Sequence, residues 1–136
     1  MINIRSRKTF IALFCIYLIA VAVACFSKPS NLPDLSAGTF MGIPMDKVLH
    51  FIMFIPFPVL ASMSVFEPKR NMASNLATLL VIAVTGIGIA YATEAIQAEL
   101  GYRSYDPKDL YADTIGILTG AIATAIFTTT YLRLKK

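Results

Sequence analysis

The chain has 136 residues, 57% apolar and 15% charged, with a mean hydropathy of +0.68 and a formal net charge of +4. A soluble domain averages about 45–50% apolar and about 25% charged residues, so both values point to lipid as the solvent. The positive charge is not gathered into a basic patch with interleaved aromatics, which excludes a nucleic-acid surface as its cause.

Four apolar stretches, residues 10–26, 48–66, 76–96 and 114–132, hold most of the chain. At about 1.5 Å per residue, about 20 apolar residues cross a hydrocarbon core of about 30 Å, so each stretch reads as a spanning helix. The expected fold is all-α: one domain over 1–136, an integral membrane bundle of four transmembrane helices at about 10–26, 47–66, 76–97 and 107–132. The segments between them are too short for a second domain.

Helix one follows Arg5, Arg7 and Lys8 and carries both cysteines, Cys15 and Cys25. Ten residues of helix separate these by about 15 Å, too far for a disulfide. Ala22-Val23-Ala24-Cys25 has the outline of a lipoprotein signal, but Ala22 stands where such a signal wants a larger aliphatic, and a retained helix is the better reading. Residues 27–45 contain Pro29, Pro33, Pro44, Gly38 and Gly42 and read as an irregular loop. Asp46 opens helix two, and Pro56 and Pro58, each lacking a backbone donor, predict a kink or unwound stretch at its middle. A short polar turn, residues 67–71, leads to helix three, where Gly86 and Gly88 read as packing positions and Thr93-Glu94-Ala95-Ile96-Gln97 closes the helix. Tyr105-Asp106-Pro107-Lys108-Asp109 is a helix start, with Asp106 as N-cap, Pro107 in the first turn and Asp109 at the positive dipole end. Gly116 and Gly120 form a small-xxx-small face on helix four, suited to packing within the bundle.

Charge sets the expected orientation. With the N-terminus inside, the inner segments hold Arg5, Arg7, Lys8, Lys69, Arg70, Arg133, Lys135 and Lys136, and the outer loops only Lys28, Lys47, Arg103 and Lys108. The positive-inside rule then places both termini in the cytoplasm.

This topology gathers the polar residues at the outer ends. Asp46, Lys47 and His50 begin helix two, Glu94 and Gln97 end helix three, and Asp109 and Asp113 begin helix four. Spacings of four put Asp46 with His50, and Asp109 with Asp113, on single helix faces. An unpaired ionisable group in hydrocarbon costs several kcal/mol, so these side chains are expected to face one another. Arg103 supplies a planar fork for a carboxylate or a phosphate. The expected binding residues are Asp46, Lys47, His50, Glu94, Gln97, Arg103, Asp109 and Asp113, and His50, Glu94 and Asp113 are the candidates for any catalysis. The plainer alternatives are helix caps for Asp46 and Asp106, and for Lys47 a lysine that snorkels to lipid phosphate.

At these residues the sequence resembles the VanZ-like family of small bacterial membrane proteins. Asp46-Lys47-Val48-Leu49-His50-Phe51 is similar to the family's D-K-x-x-H opening; Thr93-Glu94-Ala95-Ile96-Gln97, Arg103-Ser104, Asp109-Leu110-Tyr111-Ala112-Asp113-Thr114-Ile115-Gly116 and Gly120 follow in the family's order, over residues 46–121. Asp113 departs from the asparagine many members carry, and its charge suits a cation or proton site. The resemblance implies a multi-pass protein of the bacterial cytoplasmic membrane with its site at the extracytoplasmic face, linked to the cell envelope and to glycopeptide (teicoplanin) resistance, and no settled reaction. Members also occur outside resistance clusters, so resistance is not assumed for this chain.

The reading is a non-catalytic protein, with no cofactor, that binds membrane lipids through a headgroup: a lipid-linked cell-wall precursor or a lipoglycopeptide. The alternative is a small intramembrane enzyme acting on a lipid phosphate as hydrolase or transferase. His50 would then be base or nucleophile, Glu94 and Asp113 acids or ligands of Mg²⁺, and Arg103 the phosphate clamp. Zn²⁺ would want more nitrogen or sulfur than one histidine supplies. Transport would need polar groups through the inner halves of the helices, which offer only hydroxyls.

Overall fold

The computed structural model describes residues 4–27, 38–67, 69–101 and 105–134, side chains of 4–6 excepted. In chain order it forms α1 (Ile4–Phe26), a hairpin of β1 (Thr39–Phe40) and β2 (Ile43–Pro44), α2 (Met45–Phe54), α3 (Pro56–Val65), α4 (Met72–Glu99) and α5 (Pro107–Leu134). Four spans, Arg7–Phe26, Met45–Val65, Met72–Glu99 and Pro107–Leu134, are long and apolar enough to cross a membrane, with hydropathies of 2.7, 2.0, 2.0 and 1.6. The expected all-α bundle is the observed one. Its outer surface is apolar: Ile16, Ile19, Leu80, Val81, Ile122 and Ile126 are 61–65% exposed. Aliphatic side chains turned outward on several helices are what a lipid-facing surface requires.

Two boundaries differ from expectation. Helix α1 begins at Ile4, taking the basic residues into its first turns, and α4 begins at Met72, four residues before the apolar stretch. The cause of the second is a cap: the Asn71 side chain accepts from the Ser74 backbone N–H at 2.8 Å, satisfying one of the free donors of the first turn. The hairpin gives residues 39–44 more order than an irregular loop. Its strands pair Thr39 with Pro44 and Phe40 with Ile43, and Met41 and Gly42 between them both have positive φ, 51° and 82°, as in a two-residue I′ turn.

The second span is two helices. Pro56 and Pro58 cannot donate to the carbonyls of Ile52 and Phe54, so α2 stops at Phe54 and α3 starts with proline in its first turn. Ile55 between them keeps helical dihedrals, φ −56° and ψ −45°, so the chain kinks without unwinding. Beside the carbonyls that lost donors, the Tyr17 hydroxyl of α1 donates to the Met53 carbonyl at 2.8 Å. Hydrocarbon offers no replacement donor. Tyr17→Phe is therefore expected to destabilise the bundle by about 0.5–1.5 kcal/mol, the usual net worth of one hydrogen bond. The midpoint of unfolding in mixed detergent micelles measures it, and an unshifted midpoint would dismiss the tether.

Helix α5 lies against α2, α3 and α4, while α1 packs chiefly on α3. Glycines decide the first of these contacts. Gly116 lies on the Phe51 carbonyl, and Gly120 on the Ile55 carbonyl and the Pro58 ring, so closely that a Cβ at either position would overlap them. The small-xxx-small face thus packs inside the chain. Gly86 likewise faces the Phe57 ring, where a Cβ would come within 2.8 Å. Gly88 corrects the expectation for helix three: it is exposed and a Cβ there would meet nothing within 4 Å. The core beneath these contacts is Val21, Cys25, Phe54, Ala83, Ala90 and Ile117.

Candidate functional site

Helices of 28 residues, the length of both α4 and α5, span about 42 Å against a hydrocarbon core of about 30 Å. About 6 Å of each end therefore lies among headgroups. Glu94 is five residues before Glu99 and Asp113 six residues after Pro107, hence about 8–9 Å from the ends and only a few ångströms into hydrocarbon. The N-terminus of α2 meets them there, because Gly116 lets α5 rest on Phe51, the residue after His50.

Four ionisable side chains converge at this depth. His50, Glu94, Asp109 and Asp113 are 6%, 3%, 5% and 0% exposed. His50 Nδ1 lies 2.9 Å from Asp113 Oδ1 and 3.8 Å from Glu94 Oε1, and His50 Nε2 lies 3.8 Å from Asp109 Oδ2. Among the described residues, Asp113 Oδ2 is buried without a hydrogen-bond partner. One ligand atom from each of His50, Glu94 and Asp109 can be chosen so that all lie within 4.8 Å of one another. Three carboxyl groups around one imidazole give the cluster more oxygen atoms than the ring can pair.

Lys47 forms a layer just outside. Its ammonium contacts Asp46 Oδ2 at 3.0 Å, Asp106 Oδ2 at 2.6 Å, and Asp109 Oδ1. Asp109 thus gives one oxygen to Lys47 and turns the other toward His50. Asp46 lies within α2, whose N-cap is Pro44 without a side-chain bond; its Oδ1 accepts from the Lys47 backbone N–H at 2.9 Å and its Oδ2 holds the Lys47 ammonium. Asp106 does both jobs, its Oδ1 accepting from the Lys108 backbone N–H at 2.9 Å while its Oδ2 holds Lys47.

The Lys47 ammonium, and after it the Lys108 N–H, hold the Asp106 carboxyl below its ordinary value of 3.8. A depressed carboxylate contributes stability that is complete above the unfolded-state value and is lost as pH falls through the folded one. The stability difference between wild type and Asp106→Asn is therefore expected to stay constant from neutral pH down to the ordinary value of 3.8 and to close below it. Unfolding midpoints taken across this range measure it, and a difference that already closed near pH 6 would mean another group is responsible.

Gln97, also expected at the site, falls elsewhere. Gln97 is buried, but its amide donates to the Cys25 carbonyl at 2.7 Å and ties α4 to the end of α1. Arg103 lies outside the described residues. Sequence reasoning missed Lys47 as the counter-ion of Asp109 and Asp106, assigning that part to Arg103. The available signal was that helices two and four both start at the same end with first-turn charges of opposite sign.

At the far end of the bundle, Ser62, Asn75, Thr124 and Thr128 are buried along a small cleft. Between the two polar ends, Phe54, Phe57, Ala83, Ala90 and Ile117 are buried and apolar.

The family profile VanZ/LLP1 matches residues 6–128. The chain belongs to the VanZ/LLP1 family. The match takes in α1, which the motifs at 46–121 did not reach, and with it the Tyr17 and Cys25 contacts that dock α1 on the rest of the VanZ/LLP1 bundle. A protein of Schizosaccharomyces pombe, named as uncharacterized, is 29% identical over 115 residues. The alignment covers 85% of this chain but 62% of the yeast protein, so the chain spans less than two thirds of that relative's length. No solved structure matches the chain.

Proposed function

We propose that this VanZ/LLP1 member is a non-catalytic protein of the cell envelope that binds the polar headgroup of an amphiphile at the extracytoplasmic end of its bundle. One observation carries the reading: three buried carboxylates and an imidazole meet near one end of the bundle, and one carboxylate oxygen, Asp113 Oδ2, has no partner among the described residues. Such a cluster offers acceptors to amines and hydroxyls. A lipid-linked cell-wall precursor, or a lipoglycopeptide such as teicoplanin, joins groups of that kind to an acyl chain that would lie along the apolar helix surface. Lys47 is already engaged by three aspartates, so in this reading an anionic portion of the ligand falls to Arg103. The excess of lysine and arginine at the opposite end supports the outward placement of the site.

A second reading has one specific observation in its favour. Pairing of Asp113 with His50 Nδ1 at 2.9 Å orients the imidazole and leaves Nε2 as a base, the arrangement an intramembrane lipid-phosphate hydrolase or transferase would use. Mass spectrometry of envelope lipids incubated with the purified protein, with and without Mg²⁺ and beside Glu94→Gln, separates the two. An unchanged lipid that copurifies with wild type and not with the variant is the expected result. A new product that disappears in the variant would replace binding by catalysis, and no retained or altered lipid would reject both.

A further inference from the structure

The geometry points to a binding site for one divalent cation, of the class represented by Mn²⁺, held by His50, Glu94 and Asp109 with Asp113 as a positioning residue. This deepens the headgroup reading and rests on it for one point only, that the ion is what the headgroup's oxygens meet.

Distances come first. A separation of 3.8 Å between His50 Nε2 and Asp109 Oδ2 is too long for a hydrogen bond, yet both atoms belong to buried groups at the same cluster. Ligand atoms that share an ion at about 2.15 Å lie about 3.0 Å apart on neighbouring corners of an octahedron and about 4.3 Å apart on opposite ones. The 3.8 Å gap is about 0.8 Å longer than a neighbouring-corner separation, and one atom from each of the three residues lies within 4.8 Å of the others, so a carboxylate rotation would close the three onto an ion.

Charge and orientation agree with distance. His50 Nδ1 is taken up by Asp113 at 2.9 Å, which leaves Nε2 as the ring nitrogen that faces Asp109 Oδ2. Glu94 and Asp109 bring two carboxyl groups to this imidazole, a donor set whose charge a divalent cation would balance. Lys47 takes the other oxygen of Asp109 and so fixes which one faces inward. Independently of these three ligands, Asp113 Oδ2 is fully buried beside them with no partner among the described residues, an acceptor placed for a water on the ion. One imidazole with two carboxylates is too poor in nitrogen and sulfur for structural zinc and richer in nitrogen than magnesium sites, and Mn²⁺ accepts both donor types.

The test uses the full chain in detergent, stripped with chelator and titrated with Mn²⁺. Electron paramagnetic resonance is expected to count one bound Mn²⁺ per chain, and pulsed spectra to show the coupling of one directly bound ¹⁴N. That second readout needs no variant and so does not depend on whether a variant folds. Asp109→Asn is expected to weaken Mn²⁺ binding at least tenfold and Asp113→Asn by about 10–100-fold, as for residues that orient a ligand. Less than a tenth of an ion per chain, an ion without nitrogen coupling, or unchanged affinity in a folded Asp109→Asn protein overturns the site.

Lipid retention measured on the same preparations keeps the two readings apart. Lipid retained by stripped protein that takes up no Mn²⁺ overturns the ion and leaves the headgroup reading standing. Nitrogen-coupled Mn²⁺ with no retained lipid upholds the ion and removes the headgroup reading.

Discussion

Gly120→Val is expected to abolish recovery of folded protein from membranes, while Gly88→Val on the neighbouring helix leaves it at the wild-type level. Both positions are small residues on long apolar helices, and only their surroundings differ. A Cβ at Gly120 falls onto the Ile55 carbonyl and the Pro58 ring, whereas one at Gly88 meets open space. The obstacle at Gly120 is backbone at a proline kink, which has no rotamer to change, so α5 itself must move. Adding volume to a packed core costs about 1–3 kcal/mol where side chains can adjust; against backbone we expect more than about 3 kcal/mol, comparable with the whole stability of a marginal domain. The displacement would also carry Gly116 off Phe51 and Asp113 away from His50. Size-exclusion yield and thermal melting followed by circular dichroism measure the effect. Wild-type yield and melting in Gly120→Val would show that α5 is not seated on the kink.

Lys47→Met is expected to be the most damaging change at the polar end, costing roughly 3–5 kcal/mol, the range for removing one partner of a buried ion pair. The ammonium is shared by Asp46, Asp106 and Asp109, and Asp109 is only 5% exposed. Without Lys47 the Asp109 carboxylate faces His50 and two further carboxylates with its compensating charge gone. Most of the loss is thus a penalty on Asp109, which gives the prediction a second part. Lys47→Met combined with Asp109→Asn should be less destabilised than the sum of the single changes, by at least about 1 kcal/mol, since residues in one network couple by about 0.5–3 kcal/mol. Unfolding in mixed micelles of increasing sodium dodecyl sulfate fraction yields all four corners of this cycle. Strict additivity would remove Lys47 as the counter-ion of Asp109.

The two variants act on different links of the same chain of causes. Gly120 and Gly116 set how near α5 comes to α2, and that approach decides whether Asp113 reaches His50. Lys47 sets which oxygen of Asp109 is available once the helices are there. A headgroup or a cation would meet a cluster that packing has already assembled.

The sequence by itself determined what depends on length and local chemistry. Four stretches of about 20 apolar residues define four spans because the hydrocarbon core has a fixed thickness. Pro56 and Pro58 place the kink because a missing N–H breaks a helix wherever it falls, and Asp106-Pro107 starts α5 because cap and dipole preferences act within one turn. The polar residues were legible as a set at one end, since ionisable groups cannot be left facing lipid. Pairing within the set was decided only by the tertiary structure. Each residue turns about 100° from the last around a helix, so a small rotation of α4 sends Gln97 to the Cys25 carbonyl, Glu94 to the cluster, Gly86 to Phe57 and Gly88 outward. That rotation follows from which small residues let which backbones approach, a property of two helices together that neither sequence contains alone.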